Sequence, residues 1–286
     1  MNEREAMFYE RAGGGVKCRL CPWGCELADG ALGRCRARRP RDGRLIAESY
    51  GMVTSASIDP IEKKPLRHFH PGGYIFSIGL YGCNFHCPFC QNHQISLEKP
   101  ETTYISPEEI AVLAARYART DNNLGVAYTY NEPLIAFEYV LDCAMLIREK
   151  GLKNVVVTNG GINEAPFNEI LPWIDAFNID LKGSGMFYKE TLGGDFDTVR
   201  NNIRSAAAKS HLEVTTLIIP GENDSEAEME EQAKFLADID PEMPLHLSRF
   251  IPQYKYARKQ PTPKETMYRL RDVAGKFLRR VYLGNI

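Results

Sequence analysis

The sequence predicts an α/β fold: a partial (β/α)6 barrel over residues 74–286, behind a cysteine-rich metal-binding module and β extension over residues 1–73. Three observations predict it. After residue 74, short β-prone apolar runs alternate with helical patterns, and repeated β–α units imply a parallel sheet. Polar residues recur just past the end of one strand after another, where parallel β/α folds gather their chemistry. Seven of the eight cysteines fall into two tight groups, within 18–35 and 83–90, a density that reads as metal binding.

Residues 74–80, Tyr-Ile-Phe-Ser-Ile-Gly-Leu, are apolar and β-prone and run on to Gly82, so the first strand delivers the chain to the second cysteine group. Ser106, Pro107 and Glu109 then spell a helix start: an N-cap hydroxyl, a proline at N1 and a carboxylate at N3. That helix runs through Ile110, Leu113, Ala114 and Tyr117. Strands follow over 125–130, 154–158, 176–181, 213–219 and 245–247, making six with the first. Helices over 134–150, 164–171, 196–208, 225–236 and 263–278 separate and follow them. Cys143 stands beside Leu141, Ala144 and Met145 on the second helix, as a small core residue does.

At 286 residues the chain can bury a full core. A net charge of −2 gives no global pull towards nucleic acid or membrane. Met1-Asn2-Glu3-Arg4-Glu5 lacks the apolar stretch of a secretory signal, and no apolar run reaches bilayer length. The expected location is the cytoplasm, where clustered cysteines serve as metal ligands rather than disulfides.

The N-terminal module carries Cys18, Cys21, Cys25 and Cys35 in the spacing C-x2-C-x3-C-x9-C, with Gly24, Gly30 and Gly33 supplying turns. A closed set of four cysteines typifies structural zinc, which would fold a segment too small to make its own core. Four cysteines also complete a second iron–sulfur cluster. The spacing leaves both open, beside the plain alternative of reduced thiols. Arginines at 34, 36, 38, 39, 41 and 44 could grip phosphate, but with Pro40 and Gly43 among them they read as a solvated turn. Two short strands are expected around Tyr50-Gly51. His68 and His70, near a Pro-Gly turn, read as surface or hydrogen-bonded residues rather than ligands.

Cys83, Cys87 and Cys90 stand in the spacing C-x3-C-x2-C, without the fourth nearby ligand that a zinc knuckle needs. Cysteine sulfur is the usual ligand of cluster iron, and three ligands on a four-iron cluster leave one iron open for substrate. Later strands end in Tyr130-Asn131-Glu132-Pro133, in Thr158-Asn159-Gly160-Gly161, in Asp180-Leu181-Lys182-Gly183 and in Pro220-Gly221-Glu222-Asn223-Asp224, and the last carries His246, Ser248 and Arg249. Each alone reads as a cap or turn. In series at one end of a sheet they read as a binding site.

With Phe89 before Cys90, the cysteine motif resembles the signature of radical S-adenosylmethionine (SAM) enzymes. The resemblance implies a [4Fe-4S] cluster on Cys83, Cys87 and Cys90 whose open iron chelates the amino and carboxylate groups of SAM. It also implies one-electron cleavage of the sulfonium to a 5′-deoxyadenosyl radical that abstracts hydrogen, and a partial barrel. Glu132-Pro133 resembles the end of a Gly-Gly-Glu-Pro motif whose glycines are absent here, implying that Glu132 accepts the SAM amino group. The strand ends further resemble the glycyl-radical activating branch, of which pyruvate formate-lyase activase is the best-known type. Thr158-Asn159-Gly160, Asp180-Leu181-Lys182, Pro220-Gly221 and His246 have counterparts there. This implies SAM contacts from Lys182 and His246 and a monovalent-cation ligand in Asp180, although Val157 stands where the activases carry an aspartate. Asn131, Thr158, Asn159 and Arg249 complete the candidate SAM-binding set.

A nearer resemblance is to the radical SAM component of the AmmeMemoRadiSam system. Leu-Cys-Pro-x2-Cys at 20–25, Gly-x-Cys at 33–35, Asp-Pro-Ile-Glu-Lys-Lys-Pro-Leu at 59–66 and Gly-Cys-Asn-Phe-x-Cys-x-Phe-Cys-Gln-Asn at 82–92 carry it. Tyr-Asn-Glu-Pro at 130–133 and Ser-Arg-Phe-x-Pro at 248–252 complete it. That family continues past Tyr-Leu-Gly-Asn into a cysteine-containing tail, whereas this sequence ends at Ile286. The resemblance implies association with Memo-like and AMMECR-like proteins.

The sequence thus reads as a radical SAM enzyme acting on a small molecule or a protein, partnered by SAM and a reductant such as flavodoxin or ferredoxin. An activase for a glycyl-radical enzyme is the alternative within the class. Outside it stands an iron–sulfur electron carrier or metal-binding scaffold without SAM chemistry, for which an open iron and a series of strand-end polar groups have no use.

Overall fold

A computed structural model describes residues 3–286. Its main sheet has eight strands among these residues: β1 (Ser55–Pro60), β2 (Tyr74–Gly79), β3 (Asn123–Tyr128), β4 (Lys153–Thr158), β5 (Ala176–Asp180), β6 (His211–Ile218), β7 (Leu245–Arg249) and β8 (Val281–Gly284). They lie side by side in sequence order. β2 to β8 are parallel, and β1 pairs antiparallel with β2. The partial barrel is as expected, with two strands beyond the expected six. β8 is only four residues long and follows Arg279-Arg280, so its own pattern is too short to announce a strand. β1 holds Asp59 and Pro60, residues that disfavour an interior strand and suit an edge.

Six helices cover the outer face: α1 (Pro107–Thr120), α2 (Phe137–Glu149), α3 (Glu164–Ile170), α4 (Phe196–Ala207), α5 (Glu226–Ala237) and α6 (Lys264–Ala274). The Ser106–Glu109 capping box of α1 is present with both hydrogen bonds. Asp195 and Ser225 cap α4 and α5 by accepting from the N–H groups of Thr198 and Glu228. A further helical stretch, Gly185–Phe187 continuing as a π-turn over Tyr188–Leu192, had no signal in the sequence.

Side chains alternate across each strand, so one set faces the helices and the next faces the barrel interior. Phe76, Ile78, Tyr128, Val156, Phe177 and Ile179 belong to the outer core, along with Val140, Ala144 and Ile147 of α2 and fully buried Cys143. Each such aliphatic or aromatic side chain contributes about 1.5–3 kcal/mol by leaving water. Ile75, Ala127, Val155 and Ala176 form a second cluster inside, closed by Ile61, Leu66 and Phe69. The segment 61–70 therefore plugs one end of the barrel.

Above this plug lies a polar layer centred on Glu213 of β6. Its carboxylate accepts hydrogen bonds from the backbone N–H of Arg67 (3.0 Å) and His68 (2.7 Å), and from His211 (2.9 Å) and His246 (2.6 Å). Burial works against ionisation here, but the donors outweigh it and hold Glu213 down to about 2. His68 also bonds Tyr282 of β8 at 2.7 Å.

The N-terminal module contains a three-stranded antiparallel sheet, Tyr9–Ala12, Gly15–Cys18 and Glu26–Leu27, and a hairpin of Arg38–Arg41 with Arg44–Ala47. The arginine run is not the solvated turn expected of it. Strand alternation sends Arg39 and Arg41 out to Glu48 and turns Arg38 inward. Arg38 is 1 % exposed and meets both oxygens of Glu138, on α2, at 2.8 Å. It also donates to the carbonyls of Met7 (3.0 Å) and Ile135 (3.2 Å). No helix among the described residues is long and apolar enough to cross a membrane.

Replacing Arg38 with alanine will cost about 3–5 kcal/mol in urea unfolding, because Glu138 is left charged and unpaired, whereas Arg38→Met with Glu138→Leu will restore most of that loss. A second test uses pH. A depressed carboxylate pKa stabilises above the unfolded value and is lost as pH falls through the folded one. Glu213→Gln will therefore be less stable than the parent by about 2–3 kcal/mol at neutral pH, with the gap narrowing as pH drops from 5 towards 2.

Candidate active site

A cavity of about 360 Å³ opens at the C-terminal ends of the strands, within the range of small-molecule sites. The loop after β2 supplies its sulfur. Gly82 has φ +90°, and a Cβ there would lie 2.4 Å from the carbonyl oxygen of Cys35, so glycine is required. Cys83, Cys87 and Cys90 all line the cavity. His86 N–H donates to the Leu192 carbonyl (2.9 Å) and Cys90 N–H to that of Cys87 (3.2 Å), which holds the loop open over the site.

The sulfur of Cys83 accepts from the backbone N–H of Phe85 (3.3 Å) and from Asn159 Nδ2 (3.6 Å). Phe85 is seated against Gly161 and Gly194, where an added Cβ would come 2.6 Å from its ring. Burial pushes the Cys87 thiol up to about 12 and the Cys83 thiol well above its ordinary value, so a positive centre is needed to hold these sulfurs as thiolates. Three sulfur donors, N–H groups aimed at one of them and, among the described residues, no fourth thiol on the cavity wall suit a four-iron cluster with one open iron.

Beyond β3 the chain turns at Tyr130, which has φ +72° and bonds Asp59 through its hydroxyl at 2.7 Å. Asn131 then accepts from Leu80 N–H (3.1 Å) and donates to the Gly82 carbonyl (3.0 Å), tying this turn to the cysteine loop. Glu132 is 2 % exposed. One of its oxygens accepts from Thr158 Oγ1 (2.7 Å) and Leu134 N–H (3.0 Å), the other from Asn159 N–H (2.7 Å). Burial outweighs these bonds and raises Glu132 to about 7. Across the cavity Lys182 pairs with Asp180 at 2.7 Å. Burial opposes the Lys182 charge, but Asp180 and the sulfur of Cys87 overcome it and raise its pKa.

The fold thus brings Cys83, Cys87, Cys90, Asn131, Glu132, Thr158, Asn159, Asp180 and Lys182 to one cavity. It does not bring His246 or Arg249 there. His246 is the second residue of β7, in register with Thr215 of β6, and its ring is taken up by Glu213 one layer below the opening. Arg249 turns away and donates through Nε to the Thr262 carbonyl at 2.7 Å. The two side chains read as SAM contacts are thus held by Glu213 and by the Thr262 carbonyl in this structure. Strand-end polarity marks the correct elements, but depth along a strand and side of a strand decide which residue arrives.

Sequence reasoning missed Lys63 and Lys64, which also line the cavity together with Ser248 of the last strand end. Lys64 is buried and paired with Asp59 at 2.8 Å, while Lys63 reaches solvent. Asp59–Leu66 was legible as a distinctive string, but nothing local says that it enters the barrel. The second cysteine set is also gathered: Cys18, Cys21, Cys25 and Cys35 line one small cavity beside Asn84.

Comparison with known proteins agrees with this geometry. Residues 77–233, more than half of the chain, match the family model described as the Radical SAM superfamily. An uncharacterized protein of Methanocaldococcus jannaschii is 42% identical over 290 residues, covering 99% of this chain and 85% of its own. A protein of the same organism named, provisionally, as a glycyl-radical enzyme activating enzyme is 29% identical over 227 residues, 73% of this chain and 88% of its own. Among solved structures, SuiB of Streptococcus suis bound to S-adenosylmethionine is similar in fold, with a TM-score of 0.56 and 13% identity over 71% of this chain and 48% of SuiB. With the matched span holding all three cavity cysteines, Glu132 and Lys182, the chain belongs to the radical SAM superfamily.

Proposed function

We propose that this chain is an enzyme that binds SAM in the strand-end cavity and cleaves it reductively to start hydrogen abstraction from a second substrate. The observation that carries this is the placement of a buried carboxylate, Glu132, and a partly buried lysine, Lys182, in the same cavity as three thiols. A four-iron cluster on Cys83, Cys87 and Cys90 would supply the electron that breaks the sulfonium and leaves a 5′-deoxyadenosyl radical. The chain's own residues do the rest. Glu132, raised to about 7 while it lacks a cation, is matched by the ammonium group of SAM, which restores the carboxylate form. Lys182 offers a positive charge to the SAM carboxylate and shares it with Asp180, while Asn159 bridges Cys83 and Glu132 so that sulfur and carboxylate keep one spacing. Asn131, Thr158 and Asn159 orient the site, Asp180 remains the candidate monovalent-cation ligand, and the plug beneath shields a radical from water.

The substrate is a small molecule or another protein. Similarity to the activating enzyme of M. jannaschii favours, as a second reading, a glycyl-radical enzyme as the hydrogen donor. A cytoplasmic setting, a flavodoxin or ferredoxin reductant and association with Memo-like and AMMECR-like proteins complete the proposal. The four N-terminal thiols form a second metal site, with zinc and an iron–sulfur cluster as its two chemistries.

Anaerobic reconstitution followed by dithionite and SAM will yield 5′-deoxyadenosine by mass spectrometry, and Cys87→Ala will abolish it. Absence of product from fully loaded protein defeats the proposal. Glu132→Ala will weaken SAM binding about tenfold to a hundredfold in equilibrium dialysis, the loss of a charge-assisted contact, whereas His246→Gln will change it less than about twofold if its contact with Glu213 is its whole role.

A further inference from the structure

We propose that the strand-end cavity holds a second subsite, built from Lys63 and Lys64, for the carboxylate or phosphate group of a small anionic substrate that shares the cavity with SAM. Neither lysine comes from the end of a parallel strand. They lie on the one-turn helix of the plug segment, Ile61–Lys63, and on the residue that closes it. Ile61 and Leu66 anchor that segment in the inner apolar cluster, and the two lysines between them line the cavity.

Lys64 is fixed. It is 2 % exposed, its ammonium stands 2.8 Å from Asp59 Oδ2, and it lies over the Tyr130 ring at 4.8 Å. Tyr130 donates its hydroxyl to the same Asp59 oxygen at 2.7 Å. The fold accepts strain to keep the ring there. Tyr130 has φ +72°, and a Cβ added at Gly79 would come 2.9 Å from its ring. Buried ion pairs are often no more stabilising than apolar side chains of similar size, so one held on a cavity wall points to use.

The charges on this wall do not cancel. Burial opposes the Asp59 charge, but hydrogen bonds from Lys64 and Tyr130 outweigh it and keep the carboxyl below its usual range. Burial lowers Lys64 in turn, and Asp59 works against that loss of charge. One carboxylate therefore faces two ammonium groups. Lys63 has the weaker hold on it, with Nζ 3.3 Å from Asp59 Oδ1 and 67 % of its side chain exposed. Glu62 turns away to the Gly72 N–H at 2.7 Å. Among the described residues, the other acids lining the cavity are Asp180, paired with Lys182 at 2.7 Å, and Glu132, the match for the SAM ammonium. Lys63 is thus left without a carboxylate of its own. An anion entering from solvent would take hydrogen bonds from its Nζ beside the fixed charge of Lys64. The backbone of a glycine-bearing protein loop brings no charge for this lysine to meet, whereas a small acid does. The subsite stands on this geometry; that its ligand is the hydrogen donor rests on the SAM-cleavage reading.

The test titrates pyrophosphate, followed by phosphorus NMR line broadening, into the full anaerobically reconstituted chain with SAM present. Succinate, followed by saturation-transfer NMR, forms a second arm. At least one anion should bind the parent saturably, and the preference between them assigns the phosphate or the carboxylate class. Lys63→Gln should weaken that binding at least about fivefold, Lys63→Arg should keep it within about twofold, and Lys63→Glu should abolish it. Because Lys63 is largely exposed, thermal unfolding should not move in these variants. No saturable binding of either anion to the parent, or equal affinity in Lys63→Gln, overturns the subsite. A fall in SAM affinity in Lys63→Gln as large as the fall in anion affinity also overturns it, since Lys63 would then serve the SAM carboxylate. Lys63-dependent anion binding in protein that forms no 5′-deoxyadenosine upholds the subsite while defeating the cleavage reading.

Discussion

The buried pair of Arg38 and Glu138 is the interaction on which the assembly of this molecule depends. Two charges removed from water are tolerable only when each finds full compensation. Here the guanidinium meets both carboxylate oxygens and two backbone carbonyls, and the carboxylate also accepts the Met7 N–H at 2.6 Å. Three separate stretches, the N-terminal segment, the Arg38 hairpin and α2, are thereby set in one arrangement. Hydrophobic packing is indifferent to small slides, whereas a bidentate pair is not. Because Cys35 lies three residues before Arg38, the same pair determines where that thiol and its carbonyl meet the loop of Cys83.

The strand-end cavity obeys a related rule. Buried polar groups must be satisfied, and at this site they are satisfied by one another across neighbouring elements. Glu132 draws in Thr158 and Asn159 from the next strand end, Asn159 reaches the sulfur of Cys83 and the side chain of Asn84, and Asn131 holds the cysteine loop by two backbone groups. A network of this kind positions ligands before any cofactor arrives, which is where much of the binding advantage of a preformed site originates. Its one mismatch is electrostatic. Glu132 is raised to about 7 because burial exceeds what three neutral donors return, and a ligand ammonium is the group that would correct it.

The barrel interior is divided by depth. Ile61, Leu66 and Phe69 fill the lower end, the Glu213 layer follows, and the open volume is left only at the strand ends. An apolar floor, with the Glu213 layer above it, closes the barrel interior beneath that space. Lys63 and Lys64 stand at the edge of that space, one reaching solvent and one neutralised by Asp59. The plug is therefore both structural filler and part of the cavity wall.

How much of this was legible beforehand follows from the range of the forces involved. The sequence by itself determined the parallel α/β class, the capping box of α1, the core character of Cys143, the three-thiol loop after β2 and the strand ends that carry Glu132, Thr158, Asn159, Asp180 and Lys182. All of these rest on spacing within a few residues, and short-range spacing is what periodicity and capping express. Only the tertiary structure decided that β8 completes the sheet, that Arg38 is buried while its neighbours are not, and that 61–70 fills the barrel. It also decided that His246 serves Glu213 instead of the cavity, and that Cys35 touches Cys83 across forty-eight positions of sequence. Each of these depends on a partner far away along the chain, and burial or pairing with a distant group leaves no mark on local pattern.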